Sequence, residues 1–370
     1  CSHRPVPVPA LSPPALRMPW SNVIGQAEAI RRLSRSASSG RLGHAYAFVG
    51  PPGIGKKQTA LAFAQTLLCP HATPEQFDAC GRCSSCQQVD HRSHPDLMLL
   101  ELPPDRASHP IAAFVGEREE RKRAGLCYEI ALHPLIATRR VAILDEAEAL
   151  NDEGANALLK TLEEPPPWAV IILVVAGLDL LLPTIRSRCQ VVTFEPLSAT
   201  DLTSILTAQS DAPPARDLAH VLPLAEGSLT TARQLLDPGL RQQRQTLYEY
   251  LAAPRLDVLA LSDFVKGAAE ESSGAKAGQR SHAGWVARFC IEFYRQALLA
   301  LSQGQAGGAD QPEVARFLTR FPERSLEAVD LVVELLERCL IADRQLESNA
   351  SLAMCLESLF QDLGRLLKPA

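Results

Sequence analysis

Between about residue 20 and Pro196, short apolar runs alternate with amphipathic stretches; beyond Gly239 strand-like runs all but vanish. His44–Val49, Asp96–Leu102, Arg140–Leu144, Ala169–Ala176 and Gln190–Phe194 read as strands. The unbroken apolar run Ala169–Ala176 suits a strand covered on both faces. Gln26–Ser39 has helical periodicity and is stopped by Gly40. The stretch opening at Gly55, Asn151–Leu162 before Pro165-Pro166-Pro167, and Leu180–Arg186 also read as helices. Strands alternating with helices predict an α/β domain with a parallel sheet over 20–196. Ser198 is a good N-cap, and the short helical segments that follow it predict a small helical lid over 197–238. The remainder, 239–370, predicts an all-α domain. Within it Leu326, Val329, Val333, Leu336 and Leu340 step by three and four, a stripe expected to be buried in a helix bundle. Residues 1–19 read as a disordered proline-rich tail, Ser272–Gly278 as a flexible loop, and Glu117–Arg123 as a solvated charge run.

Length and composition narrow this picture. A chain of 370 residues suits two or three domains. With 46% hydrophobic and 21% charged residues it is neither disordered nor collagen-like. The excess of Ala and Leu over aromatics favours helix. A net charge of −5 gives no bulk basic character, so contact with DNA would need a local patch or partner subunits. No apolar run reaches the ~20 residues that span a bilayer. The N-terminal stretch lacks the apolar core of a signal peptide, and Cys1 is read as a clipped or reassigned start. Four of the ten cysteines cluster, which points to metal binding in a reducing, cytoplasmic setting.

The sharpest motif is Gly50-Pro51-Pro52-Gly53-Ile54-Gly55-Lys56-Lys57, between a strand and a helix. Glycines let backbone N–H groups face a phosphate, the helix end adds its positive dipole, and Lys56 reaches the outer phosphates. A nucleotide site of this kind places Ser or Thr next, as a Mg²⁺ ligand; here Lys57 stands, and a charged ammonium offers no lone pair. Thr59 lies on another face of the helix. Asp145-Glu146, at the end of an apolar strand, reads as the acidic second half of the site, where one carboxylate holds Mg²⁺ and the other polarises water. Cys69, Cys80, Cys83 and Cys86 form C-x10-C-x2-C-x2-C, a set suited to structural, tetrahedral Zn²⁺ with no open coordination position. Cys127, Cys290, Cys339 and Cys355 lie among apolar residues and read as core thiols. Arg188, in Ser187-Arg188-Cys189, would by itself be read as a helix cap or a solvated charge.

Taken together, Gly25-Gln26, the Gly50–Lys56 loop, the cysteine set after its helix, Asp145-Glu146, the run Asn156–Pro166 and Ser187-Arg188-Cys189 resemble the clamp-loader branch of the AAA+ ATPases. Asp343–Leu359, with Arg344, Leu346 and Asn349, is similar to that family's last collar segment. The resemblance is clear over about 20–240 and weaker beyond. It implies an AAA+ P-loop domain with a parallel sheet, a helical lid and a helical collar for oligomerisation. It further implies a cytoplasmic component of the bacterial DNA polymerase III holoenzyme. The partners would be gamma/tau-type and delta-type subunits in a hetero-oligomer, with the sliding clamp and primed DNA met through the complex and no membrane involved. In this family the arginine matching Arg188 reaches in trans into a neighbour's ATP site.

Three departures separate the chain from the family's motors: Lys57 for Thr, apolar Val175 and Ala176 where a polar sensor follows the strand, and Thr230 after Gly227-Ser228 where the lid carries Arg, with Arg233 one turn on. They favour a stator that supplies a finger and has little or no ATPase activity alone. Gly50, Gly53, Gly55, Lys56 and Lys57 would line the nucleotide site, ATP with Mg²⁺ staying open as a ligand, and Asp145 and Glu146 would be vestigial. An active gamma/tau-type motor is the alternative, and a zinc-bearing nucleic-acid module is a third reading. Residues 103–125 are a longer insertion without an assigned role.

Overall fold

The computed structural model describes residues 19–370 apart from 74–76, 104–105, 107, 118–122, 209–211, 272–275, 303–310, 322–325, 348–350 and 368–370. The expected tail up to residue 18, most of the charge run 117–123, and Asn349 lie outside these.

In chain order the first part contains α1 (Ala27–Ser38), β1 (Ala45–Val49), α2 (Lys56–Leu68), α3 (Ser84–Asp90), β2 (Leu97–Leu100), the one-turn α4 (Ala112–Val115) and α5 (Leu126–Glu129), β3 (Arg140–Leu144), α6 (Asp152–Glu163), β4 (Ala169–Val175), α7 (Pro183–Arg186) and β5 (Gln190–Thr193). Asn151 caps α6, its side chain accepting the Gly154 N–H at 2.8 Å, and Pro183 opens α7. The five strands are all parallel in the order β2-β3-β4-β1-β5. Ala47 pairs with Leu173 and Ile143 with Ile172. Every residue of β1, β3 and β4 is buried, as a sheet covered on both faces requires. One face packs Ala47, Ala142, Ile171 and Leu173 against Leu158 and Leu162 of α6 and Phe114. The other packs Tyr46, Phe48, Ile143 and Ile172 against Phe63 of α2 and Leu33 of α1.

A buried carboxylate organises the chain before β3. Asp96 is fully buried and accepts N–H bonds from Leu135 (2.7 Å), Ile136 (2.8 Å) and Ala137 (2.9 Å). Arg140, also buried, lies 3.4 Å from it and donates to the carbonyls of Glu129 and Pro95. Burial alone would raise the Asp96 pKa; the three N–H bonds and Arg140 outweigh it and hold the group below its ordinary value.

After β5 come α8 (Ala199–Thr207), α9 (Ala215–Ala225) and α10 (Leu229–Leu235). Ser198 caps α8 by accepting the Asp201 N–H at 3.0 Å. The chain divides into two compact units, the first ending at Thr231. The second is helical among its described residues: α11 (Pro238–Ala252), α12 (Val258–Glu271), α13 (Lys276–Ser302), α14 (Pro312–Leu318), α15 (Leu326–Glu347) and α16 (Leu352–Leu366). Part of the expected loop, Lys276–Gly278, is the first turn of α13, where Lys and Ala favour helix over the lone Gly278. Aromatic side chains fill this unit's core, with Phe293 edge-on to Tyr248, Tyr294 and Phe317 at ring separations of 5.1–5.4 Å. No helix is long and apolar enough to cross a membrane.

The expected stripe on α15 is displaced by one helical column. The buried face is Ala328, Val332, Leu335, Cys339, Ala342 and Leu346, whereas Leu326 is 83% and Leu340 37% exposed. Val329, Val333 and Leu336 are half-buried. Both columns are apolar at the same spacing. The buried one contains two alanines and a cysteine, whose small side chains let α13 approach closely.

Asp96→Ala should cost ~3–5 kcal/mol of stability by stranding Arg140 and three buried N–H groups. For the charge itself, a depressed folded pKa means the stabilisation is complete above the unfolded value, ~3.9, and is lost as the pH falls through the folded value. Urea unfolding should therefore show the gap between wild type and Asp96→Asn narrowing below about pH 4.

Candidate functional site

The loop after β1 is shaped by glycine. Gly53 and Gly55 have φ of +76° and +97°, the left-handed region that favours glycine. A Cβ on Gly53 would lie 2.3 Å from the Ser228 hydroxyl and 2.9 Å from Thr230, so lid and loop touch here. The Leu229 N–H donates to the Gly53 carbonyl at 2.8 Å. Gln26, buried, donates through Nε2 to the carbonyls of Ile54 and Glu195, both at 2.9 Å, tying the loop to the chain leaving β5. Among the described residues, the N–H groups of Gly53, Ile54 and Gly55 donate to no other backbone group. They stand at the N-terminus of α2, where an anion is favoured. Lys56 is buried, and its Nζ donates to the carbonyls of Gly50 (2.5 Å) and Pro51 (2.6 Å). Burial lowers its pKa, against the pull of Glu148 and Asp145.

Lys57 turns toward the acids at the neighbouring strand ends. Its Nζ lies 2.8 Å from Asp145 Oδ2 and bonds Glu101 Oε1, beyond the end of β2. Arg92 Nη1 lies 3.1 Å from the same Glu101 oxygen. Burial works against the Lys57 charge, but the bonds to Asp145 and Glu101 outweigh it and raise the pKa. Glu101 is correspondingly held low, first by its bond to Lys57. The Mg²⁺ that the fold class implies does not fit this arrangement. The ammonium takes up the carboxylate meant for the metal, and Thr59, the nearest hydroxyl on α2, is fully buried and donates back to the Gly55 carbonyl at 2.9 Å.

Glu146 is exposed and has a left-handed backbone, φ +49°. Although the residue is exposed, partial desolvation of the carboxyl by the surrounding turn and the nearby Asp145 and Glu148 raise its pKa. The buried His109 ring holds the turn through Nε2, 2.9 Å from the Asp145 carbonyl and 3.3 Å from that of Glu146. Val175 is buried, and Arg233 is exposed. Thus Gly50, Gly53, Gly55, Lys56, Lys57 and Asp145 converge, with Glu146 beside them. Arg188 sits apart at the end of α7. It donates to the Thr184 carbonyl (2.8 Å), Ser187 Oγ (3.1 Å) and Glu163 Oε1 (2.8 Å), with 35% of its side chain exposed. Glu101 and His109 were not singled out from the sequence, and Ser228 was named only as part of the Gly227-Ser228 pair before Thr230. Glu101 lay inside the expected strand Asp96–Leu102, whereas the strand ends at Leu100, so its place at the strand end was not seen.

The four cysteines gather after α2. Their sulfurs all lie within 4.8 Å of one another, with Cys69–Cys80 at 3.7 Å and both Cys69–Cys83 and Cys80–Cys86 at 3.9 Å. A tetrahedral Zn²⁺ with Zn–S of ~2.3 Å needs sulfurs ~3.8 Å apart, so the set fits the ion. Burial would raise the Cys80 pKa, but N–H bonds from Arg82 and Cys83 and contacts with the Cys83 and Cys69 sulfurs lower it to about 6. Gln65 of α2 donates to the Cys86 carbonyl and to Asp90, both at 2.9 Å, and Trp20 Nε1 donates to the Phe77 carbonyl at 2.6 Å. Cys290, Cys339 and Cys355 are buried and Cys127 half-buried, outside any metal-sized cluster among the described residues.

Strand order, glycine loop and acidic strand end together define an AAA+ P-loop domain. Residues 25–198 match the family described as DNA polymerase III, delta subunit. The chain is similar to the DNA polymerase III subunit delta′ of Pseudomonas aeruginosa, 39% identical over 56% of this chain and 60% of that one. The Escherichia coli delta′ subunit is 31% identical over 60% of this chain and 63% of that one. The gamma/tau subunit of Mycobacterium bovis is 37% identical over 46% and 27%. The chain spans about three-fifths of the length of these delta′ relatives. The clamp-loader resemblance carried by the motifs therefore holds.

Purified without chelator, the protein should contain one Zn²⁺ per chain by elemental analysis. Cys83→Ser should release it and make the Cys69–Cys86 segment sensitive to limited proteolysis, whereas Cys290→Ser should leave the zinc content unchanged.

Proposed function

We propose that the chain is a delta′-like clamp-loader subunit: a cytoplasmic stator that hydrolyses little or no ATP itself and acts on the ATP site of a neighbour. The observation that carries this reading is Lys57 bonded to Asp145. With its cation position taken, Asp145 cannot hold the metal that phosphoryl transfer needs. Apolar Val175 and Ala176, the exposed Arg233, and Thr230 against the loop point the same way. The likeness to delta′ subunits supplies the rest: gamma/tau-type and delta-type partners, and through them the sliding clamp and primed DNA. Residues 239–370 would form the oligomerising collar, and the exposed Leu326 and Leu340 column of α15 suits burial against another subunit.

In this reading Arg188 is the finger. Its half-exposed ion pair with Glu163 is of a kind worth ~0.2–1 kcal/mol, weak enough to be exchanged for a neighbour's phosphate. A planar guanidinium can then bond two oxygens of the transferring group. Cys69, Cys80, Cys83 and Cys86 would hold zinc as a structural clamp, with no part in the chemistry.

Arg188→Ala should leave folding and zinc content intact, because its partners are surface groups. In the reconstituted loader it should slow hydrolysis at the facing site by ~10³–10⁵ and reduce clamp loading, while the other sites limit the loss for the whole complex. Arg188→Lys should rescue poorly. An unchanged loader rate, or a variant that does not fold, would overturn the assignment.

A further inference from the structure

Lys57 does more than omit a ligand. Two carboxylates from the ends of adjacent strands, Asp145 after β3 and Glu101 after β2, converge on its ammonium. The lysine occupies the first turn of the helix that follows the glycine loop. An ammonium has three donors, and two of them are engaged by these acids. Because the cation is covalently attached, no ion has to be captured from solution and ordered.

We propose that the Lys57 ammonium is a built-in substitute for the divalent cation, so that the pocket is closed to Mg²⁺. The inference rests on reading Gly50–Lys56 as a nucleotide pocket, but not on the role of Arg188. Mg²⁺ needs about six oxygen ligands at ~2.0–2.1 Å. Reaching Asp145 would require breaking its ion pair with Lys57 and leaving a half-buried ammonium beside a doubly charged ion. The bonds to Asp145 and Glu101 keep that ammonium protonated at neutral pH.

The test uses the full zinc-loaded chain and Mn²⁺ alone as the probe, read by loss of the free-ion electron paramagnetic resonance signal. Wild type and Lys57→Arg should bind no ion at this site. Lys57→Thr, which restores a hydroxyl and frees the acids, should bind about one additional Mn²⁺ per chain, competed by Mg²⁺. Adding Asp145→Asn to Lys57→Thr should abolish that binding. Circular dichroism and zinc content report whether each variant is folded. Mn²⁺ binding to wild type that Asp145→Asn removes would overturn the proposal, as would a folded Lys57→Thr with no added ion. Neither readout involves turnover or assembly, so failure of the stator reading would be seen separately, with Arg188.

Discussion

All five strands run parallel, so their C-terminal ends share one edge of the sheet, and everything at the candidate site follows from that. The glycine loop leaves β1, Asp145 follows β3 and Glu101 follows β2 on this edge. β4 lies between β1 and β3 and ends in Val175, an apolar residue at the middle of the edge. Residues far apart in sequence meet because β1, β3 and β4 are apolar throughout and both faces of the sheet need cover. The charged groups are pushed to the strand ends, where loops can satisfy them.

Much of this could be read from residues alone. Glycine loop, acidic strand end and cysteine spacing are local motifs, and local chemistry survives folding. The long apolar run of β4 announced a central strand for the same reason. What stayed hidden depended on partners brought in by topology. Glu101 was one charged residue inside an expected strand, and nothing in its neighbourhood pointed to Lys57. The Asp96 network and the His109 clasp on the acidic turn joined segments dozens of residues apart. The α15 stripe failed differently. Two apolar columns shared one helix at the same spacing, and periodicity, which ignores side-chain size, could not tell which was the buried one.

The cysteine module is tied into this frame by ordinary packing. Gln65 reaches from α2 to the Cys86 carbonyl, and Trp20 packs on Phe63 and Phe77 while its N–H bonds the chain just before Cys80. A module hung on the helix behind the glycine loop and braced by an aromatic cluster can stiffen that helix from its far end.

The lysine in the cation position also bears on descent. A lysine codon lies a single base from a threonine codon, so the metal ligand itself is one mutational step away. The step would leave Val175, Ala176 and Thr230 as they are. Meanwhile the step would break the ion pair at Asp145 and leave Glu101 to Arg92 alone, so the first move back carries an immediate penalty in the folded protein. The Lys57–Asp145 pair thus acts as a ratchet, because reversing that one position alone strands a carboxylate that the folded protein now pairs.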